Sequence, residues 1–457
     1  MKIGLLAMSG IRAHDAELLR LGLTLPGFVE RSRQVAALPS LGLLQLAACT
    51  PPGHELRYFE TPTSDEIPRE LFECDLVAIS TFSAQIFEAY AIADRLRARG
   101  VQVALGGLHV SVLPDEAAAH ADHVVVGEGE AAWPAVVAAA ARRAGPTRFS
   151  ARDLAPVDVA ALPTPRYDLA AGRPYQRYTV QTTRGCPWRC DFCASTVMLG
   201  RPYRKRPVAC VLRDVRAILA VAPGAFLEFA DDNTFVDKEW SKELCRALAP
   251  LGVKWFTETD VSVADDPELL DLLARAGCRQ LLIGLESPAA DALPGVEMHA
   301  NWKAARAPDY AAAIDAIQAR GVTVNGCFVL GLDAHGPEIF DAVRDFAERT
   351  ALYEVQITVM TAFPGTPLHE RLARERRILQ PGRWDLCTLF DVNLEPAGMS
   401  PEELRAGMRR LSVELYSAEA KRRRRTAFFR RLNASRPRAR RAAATNTRPL
   451  AAVARGN

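Results

Sequence analysis

The strongest constraint on this chain is a pattern that occurs twice. Short, continuous apolar runs alternate with helix-period segments over residues 1–140, and again over 176–395. The first series is "KIGLLAM" (2–8), "ELRYFE" (55–60), "DLVAIS" (75–80), "VQVALGG" (101–107) and "HVVVGE" (123–128). Its clearest helix, "AQIFEAYAIADRLRARG" (84–100), stops at Gly100. Strands that are apolar on both faces and separated by helices belong to a parallel sheet covered on both sides. Residues 1–140 are therefore expected to form a doubly wound, Rossmann-like domain. The second series is "RYTVQTT" (177–183), "AFLEFAD" (225–231), "VKWFTETD" (253–260), "QLLIGLE" (280–286), "VTVNGCFVL" (322–330) and "YEVQITVM" (353–360). Six β/α repeats over 176–395 predict a partial (β/α)6 TIM-like barrel. The fold class is thus α/β.

Three further segments complete the division. Residues 141–175 hold Pro146, Pro156, Pro163, Pro165 and Pro174 and read as a surface linker. Residues 396–420 read as a helical segment opened by a capping box of Ser400 and Glu403, with Pro401 in its first turn. Residues 421–457 carry thirteen Lys and Arg and no Asp or Glu, against a whole-chain net charge of +3. The preceding 420 residues are therefore at −10. The tail's composition predicts disorder. It could meet an anionic membrane surface. Nucleic acid is not expected, because Phe428 and Phe429 do not make a stacking platform.

The chemistry concentrates in "TTRGCPWRCDFCAS" (182–195), where Cys186, Cys190 and Cys193 stand in C-x3-C-x2-C order. This loop follows the first barrel strand, at the end where barrel active sites assemble. The other seven cysteines are scattered, which excludes a disulfide framework and fits a reducing, cytoplasmic setting. No apolar run is long enough to span a membrane, and the N-terminus reads as a buried strand rather than a leader. Structural zinc wants a fourth ligand, which a distant Cys or His would have to supply. A four-iron cluster on three thiols keeps one iron open. Three packed core thiols are the plain alternative.

A C-x3-C-x2-C loop after the first barrel strand, with Phe192 before the last cysteine, resembles the radical S-adenosylmethionine enzymes. The resemblance implies a [4Fe–4S] cluster on Cys186, Cys190 and Cys193, with S-adenosylmethionine on the fourth iron. One electron from the cluster would then yield a 5′-deoxyadenosyl radical. An external donor such as flavodoxin or ferredoxin would supply that electron. Other segments resemble the family's S-adenosylmethionine contacts: Asp231 and Asp232 in "EFADDNTF" (228–235), Glu286 in "IGLESP" (283–288), and Val329, Leu330 and Gly331 in "GCFVLGLD" (326–333). The commoner form at the first of these is Gly-Gly-Glu. "TAFPGTPLHERL" (361–372) follows the sixth strand, as in many relatives.

Ligands of doubly wound domains lie beyond the C-terminal ends of the strands. There the first domain offers "STFSAQ" (80–85), "GGLHVSVLP" (106–114) and "GEGE" (127–130). None is a dinucleotide fingerprint. With "LPSLGLLQLAA" (38–48), and ahead of such a barrel, they are similar to the cobalamin-binding class of the family. That implies Ser80, Gly106, Gly107, His109, Gly127 and Glu128 near cobalamin. The Asp-x-His-x-x-Gly motif that brings an axial histidine to cobalt is absent.

The resemblance leads to an enzyme that methylates an unactivated carbon of a small molecule, such as a secondary or lipid-like metabolite. A radical rearrangement, cyclisation or oxidation is the alternative outcome. A corrinoid- or metal-binding module without catalysis is the non-enzymatic one. A methylthiotransferase would need a further cysteine set in the first domain, which offers only Cys49 and Cys74.

Overall fold

The computed structural model describes residues 1–9, 12–21, 38–151, 156–195 and 202–435. The first series of apolar runs forms a parallel sheet from β1 (Lys2–Met8), β2 (Glu55–Thr61), β3 (Leu76–Ser80), β4 (Gln102–Gly106), β5 (His123–Val126) and β6 (Thr147–Ser150). The spatial order is β2-β1-β3-β4-β5-β6, so the direction of winding reverses between β1 and β3. A crevice forms outside the strand ends at such a switch point. Helices α1 (Leu41–Ala48), α2 (Ile86–Arg97) and α3 (Gly129–Ala141) cover the sheet on both faces. Each face has its own apolar cluster, one around Leu5, Leu44 and Trp133, the other around Leu6, Ile79 and Ile92.

The second series forms β7 (Tyr178–Val180), β8 (Phe226–Phe229), β9 (Lys254–Thr259), β10 (Cys278–Glu286), β11 (Thr323–Leu330) and β12 (Glu354–Val359). All pair in parallel and in chain order, the arrangement of a six-stranded open barrel. Its outer helices are α4 (Val208–Val221), α5 (Lys238–Leu248), α6 (Pro267–Arg275), α7 (Tyr310–Gln318), α8 (Ile339–Arg349) and α9 (Pro367–Arg374). Alternation is consistent along the strands. Leu227, Phe229, Trp255, Leu281, Ile283, Leu285, Val324 and Phe328 are buried under the helices. The intervening residues turn inward.

Two segments differ from the sequence expectation. Residues 147–150, read as linker, add the sixth strand to the first sheet, with His123 paired to Thr147 and Val126 to Ser150. Four residues with little apolar content give no periodic signal; their order comes from an exposed neighbouring edge. The basic tail is helical as far as it is described. After α10 (Pro401–Tyr416), whose capping box forms through Ser400 and Glu403, α11 runs from Ala418 to Ser435. Ala420, Arg424, Phe428 and Leu432 are buried along one face at a spacing of four. The arginines around them hide that stripe from a composition-based reading. Residues 436–457 lie outside the described residues.

Candidate active site

The C-terminal ends of both sheets open onto one cavity of about 430 Å³. The first domain supplies Gly42, Ser80, Phe82, Gly106, Gly107, Gly127 and Glu128, with walls of Leu41, Leu46, Ile79, Leu105 and Trp133. The barrel supplies Gln181, Arg184, Arg206 and Ala230. Gly107 and Gly127 hold left-handed backbone conformations, with φ of 106° and 84°. A Cβ on Gly127 would come within 2.7 Å of the Ala151 Cβ, so this turn admits only glycine. The glycine-lined loops and apolar walls suit a broad planar cofactor such as a corrin. No histidine lines the cavity among the described residues.

His109 is not part of this lining. It is fully buried, with Nδ1 3.1 Å from the Ser83 hydroxyl and Nε2 3.2 Å from Glu116. Its ring meets Trp384 edge-on. Burial lowers its pKa, although Glu116 opposes the shift. It joins the first domain to the segment after α9. Glu128 lines the cavity but its carboxylate is engaged elsewhere, accepting from Arg184, Arg204 and the Val157 amide. Burial would raise its pKa; the hydrogen bonds from Arg204 and Arg184 outweigh burial and lower it.

The cysteine loop is fixed at several points. Thr183–Arg184 and Arg204–Lys205 form a two-residue antiparallel ribbon that brackets the loop. The Trp188 indole donates to Asp260 (2.8 Å) and stacks on Trp302. Glu297, almost fully buried, accepts from the amides of Arg189, His299, Ala300 and Trp302. The Asp191 amide donates to the Val296 carbonyl. Cys186, Cys190 and Cys193 lie half-buried within electrostatic reach of one another. Burial pushes the Cys186 thiol up to about 11 and raises Cys190 as well. Uncompensated thiolates are disfavoured there, and iron would supply the missing positive charge. Among the described residues no three His, Cys, Asp or Glu side chains gather as ligands of one ion. Thiols on separate irons of a cluster need no such convergence.

The remaining expected contacts divide. Asp231 is fully engaged, accepting from the Thr182 and Thr183 amides and from the Thr182 and Thr234 hydroxyls. It shapes the start of the cysteine loop. Asp232 sits closer to the thiols, accepting from the Gly185 amide and Ser195. Glu286 ends β10 in a left-handed conformation, φ 63°, that is uncommon for a residue with a side chain. Its carboxylate pairs with Lys303 at 2.7 Å, and a Cβ on Gly284 would fall 2.6 Å from Glu286 Oε1. Val329 alternates inward. Leu330 is buried in the core, and Gly331 faces Leu404 of α10, where a Cβ would fall 2.8 Å from the leucine. Only backbone from these two could meet a ligand.

Sequence reasoning passed over Arg184, Asp260, Glu297 and Lys303, none of which stands in a spacing that marks it. It also passed over the barrel interior. By register, Thr179, Glu228 and Gln280 share one inward level with Phe256 between the last two, and Glu258 and Asn325 share the next, both meeting Leu282. Thr179 Oγ1, Gln280 Nε2 and Asn325 Oδ1 are buried without a hydrogen-bond partner. The Glu258 side chain is exposed to the open barrel interior, where desolvation by the surrounding wall, then Glu228 and Asp232, push its carboxyl up to about 7. Barrel interiors are commonly packed with branched apolar residues. This one is polar, with spare hydrogen-bonding capacity.

Comparison with known proteins agrees with this geometry. Residues 180–347 match the Radical SAM superfamily, 35–137 the B12 binding domain, and 366–456 a domain of unknown function, DUF4070. The chain is 28% identical over 388 residues to a bacteriochlorophyllide d C-12(1)-methyltransferase of Chlorobaculum tepidum, covering 83% of each chain. It is 26% identical to a hopanoid C-2 methylase of Rhodopseudomonas palustris, covering 75% of this chain and 66% of that one. Among solved structures, the radical S-adenosylmethionine methyltransferase TsrM from Kitasatospora setae, with cobalamin and a [4Fe-4S] cluster bound, superposes with a TM-score of 0.62. That match covers 82% of this chain and 78% of TsrM at 16% identity, so it speaks to the fold.

Proposed function

The chain belongs to the radical S-adenosylmethionine enzymes that carry a B12-binding domain, and from that premise we propose that it transfers a methyl group to an unactivated carbon of a small molecule. One observation carries the reading: the glycine loops of the first domain and the start of the cysteine loop line the same cavity. Bound there, the cluster with S-adenosylmethionine supplies a radical able to take hydrogen from carbon, and methylated cobalamin supplies the methyl group.

The chain's own residues orient and enclose. Cys186, Cys190 and Cys193 would hold three irons. Asp232 lies within electrostatic reach of Cys186, and Glu286 and Lys303 of Cys190; with Val329 they would meet S-adenosylmethionine. Ser80, Gly106, Gly107 and Gly127 would bear the corrin, and Leu41, Leu46, Ile79, Leu105 and Trp133 keep water from it. Phe82, 72% exposed at the rim, offers an aromatic face to what enters. A one-electron donor of the flavodoxin or ferredoxin class completes the chemistry. No helix among the described residues is long and apolar enough to cross a membrane. The ten cysteines form no disulfide, which suits a reducing cytoplasm.

Oxygen-free purification with iron, sulfide and cobalamin counted per chain tests the assignment. The expected result is about four irons with one cobalamin. Iron should be lost when the three cysteines become serine. Reduction with S-adenosylmethionine should then yield 5′-deoxyadenosine. S-adenosylhomocysteine alongside it marks methyl transfer; deoxyadenosine alone would point to rearrangement, cyclisation or oxidation.

A further inference from the structure

Arg184 and Arg204 are direct cross-strand partners in the ribbon that closes the cysteine loop. Like charges placed directly opposite one another destabilise a strand pair. Here a single carboxylate from the other domain lies between them. Glu128 Oε1 accepts from Arg184 Nη1 at 2.8 Å and from Arg204 Nη2 at 2.6 Å. Glu130 takes the second Arg184 nitrogen at 2.6 Å. All four side chains are mostly buried, with Arg184 only 6% exposed. Removing one member of such a group leaves a charge stranded away from water.

The positions matter as much as the charges. Glu128 stands between Gly127 and Gly129, which line the cavity with it. Arg184 lines the cavity too and lies two residues before Cys186. The neighbouring basic residues are held on the barrel side, Lys205 by Asp237 and Arg206 by the buried Asp214. In the first domain, the loop carrying Glu128 and Glu130 is what this basic ribbon pairs with.

We propose that Glu128 is a positioning residue which couples the two cofactor sites, so that filling the cavity and ordering the cysteine loop each favour the other. The inference rests on reading the cavity as the cobalamin site and the loop as the cluster site. A ligand seated on Gly127 and Gly129 holds Glu128 in place, Glu128 neutralises Arg184 and Arg204, and the closed ribbon presents Cys186. The same linkage runs in reverse, because coupling between binding sites is reciprocal.

The test measures binding rather than turnover. Hydroxocobalamin affinity is determined by equilibrium dialysis for the full-length chain with its cluster and after iron removal by a chelator. In the native chain, iron removal is expected to weaken cobalamin binding about tenfold, within the usual range of coupling between sites. In Glu128→Gln the two affinities should coincide, and iron should leave faster in the chelator. Glu130→Gln, which keeps the carboxylate shared by both arginines, should retain most of the dependence. A native chain that holds both cofactors but shows equal affinity with and without iron overturns the coupling and leaves the proposed function standing. A native chain that binds neither overturns both. If Glu128→Gln does not fold, Glu128→Asp, whose shorter side chain draws the carboxylate back from Arg184 and Arg204, takes its place, and an undiminished iron dependence in either variant overturns the role of Glu128.

Discussion

His109 and Glu258 show how surroundings decide what a titratable side chain does. His109 stands in a glycine-rich loop beyond a strand, where sequence places a cofactor ligand. Its two ring nitrogens are instead spent on Ser83 and Glu116. His109→Gln should cost about 1–3 kcal/mol of stability through lost buried hydrogen bonds. The absorption spectrum of bound cobalamin should not change; a spectral shift would return His109 to the cofactor. Glu258 is the opposite case, an unremarkable strand residue that the barrel turns inward. It is exposed to the open barrel interior; Arg177, Glu228, Asp231 and Asp232 are the charged groups around it, and desolvation by the barrel wall with the acidic ones raises its pKa to about 7. A carboxyl raised above its unfolded value favours folding most at low pH, and that contribution fades as pH rises through about 7. Glu258→Gln cannot ionise. Its melting temperature relative to the native chain should therefore be higher at pH 8 than at pH 5. An equal difference at both pH values would mean Glu258 is well solvated.

At the scale of elements, the two ends of the C-terminal pair were unequally readable. The start of α10 was plain, since a serine cap, a proline and a glutamate in fixed order leave few alternatives. Ser400→Ala should cost about 1 kcal/mol, readable in a denaturant titration. The helix after it was hidden, because arginine and lysine fill its surface and only every fourth residue turns inward. Phe428 packs edge-on against Tyr353, and Arg425 pairs with the buried Glu354 beside it. Phe428→Ala should destabilise the protein by about 3 kcal/mol or more, as for a core aromatic. A solvated tail would give no change. The strand β6 was unreadable for a related reason. Four residues have too little sequence to carry a period, and only the edge of β5 orders them.

At the scale of the molecule, one apolar cluster extends from Ile3 and Trp133 through Tyr167 to the barrel strands, so the domains are joined by core as well as by charge. Because the proposed cofactors sit where the domains meet, cobalamin at a hundred times its dissociation constant should add about 2.7 kcal/mol of stability. Calorimetry with and without cobalamin would show this as one cooperative transition moving upward; a separate early transition would show independent domains. Both sheets, their parallel sense, the three cysteines on one loop and the glycine turns of the first domain were determined by sequence, since each follows from local periodicity, spacing or backbone conformation. The tertiary structure alone decided that Glu128 answers to two arginines, that the His109 and Asp231 side chains are engaged in hydrogen bonds within the protein, that Leu330 and Gly331 turn to the core, and that polar side chains gather in the barrel interior. Those outcomes depend on which side chains meet across distant segments, and a one-dimensional pattern carries no record of such meetings.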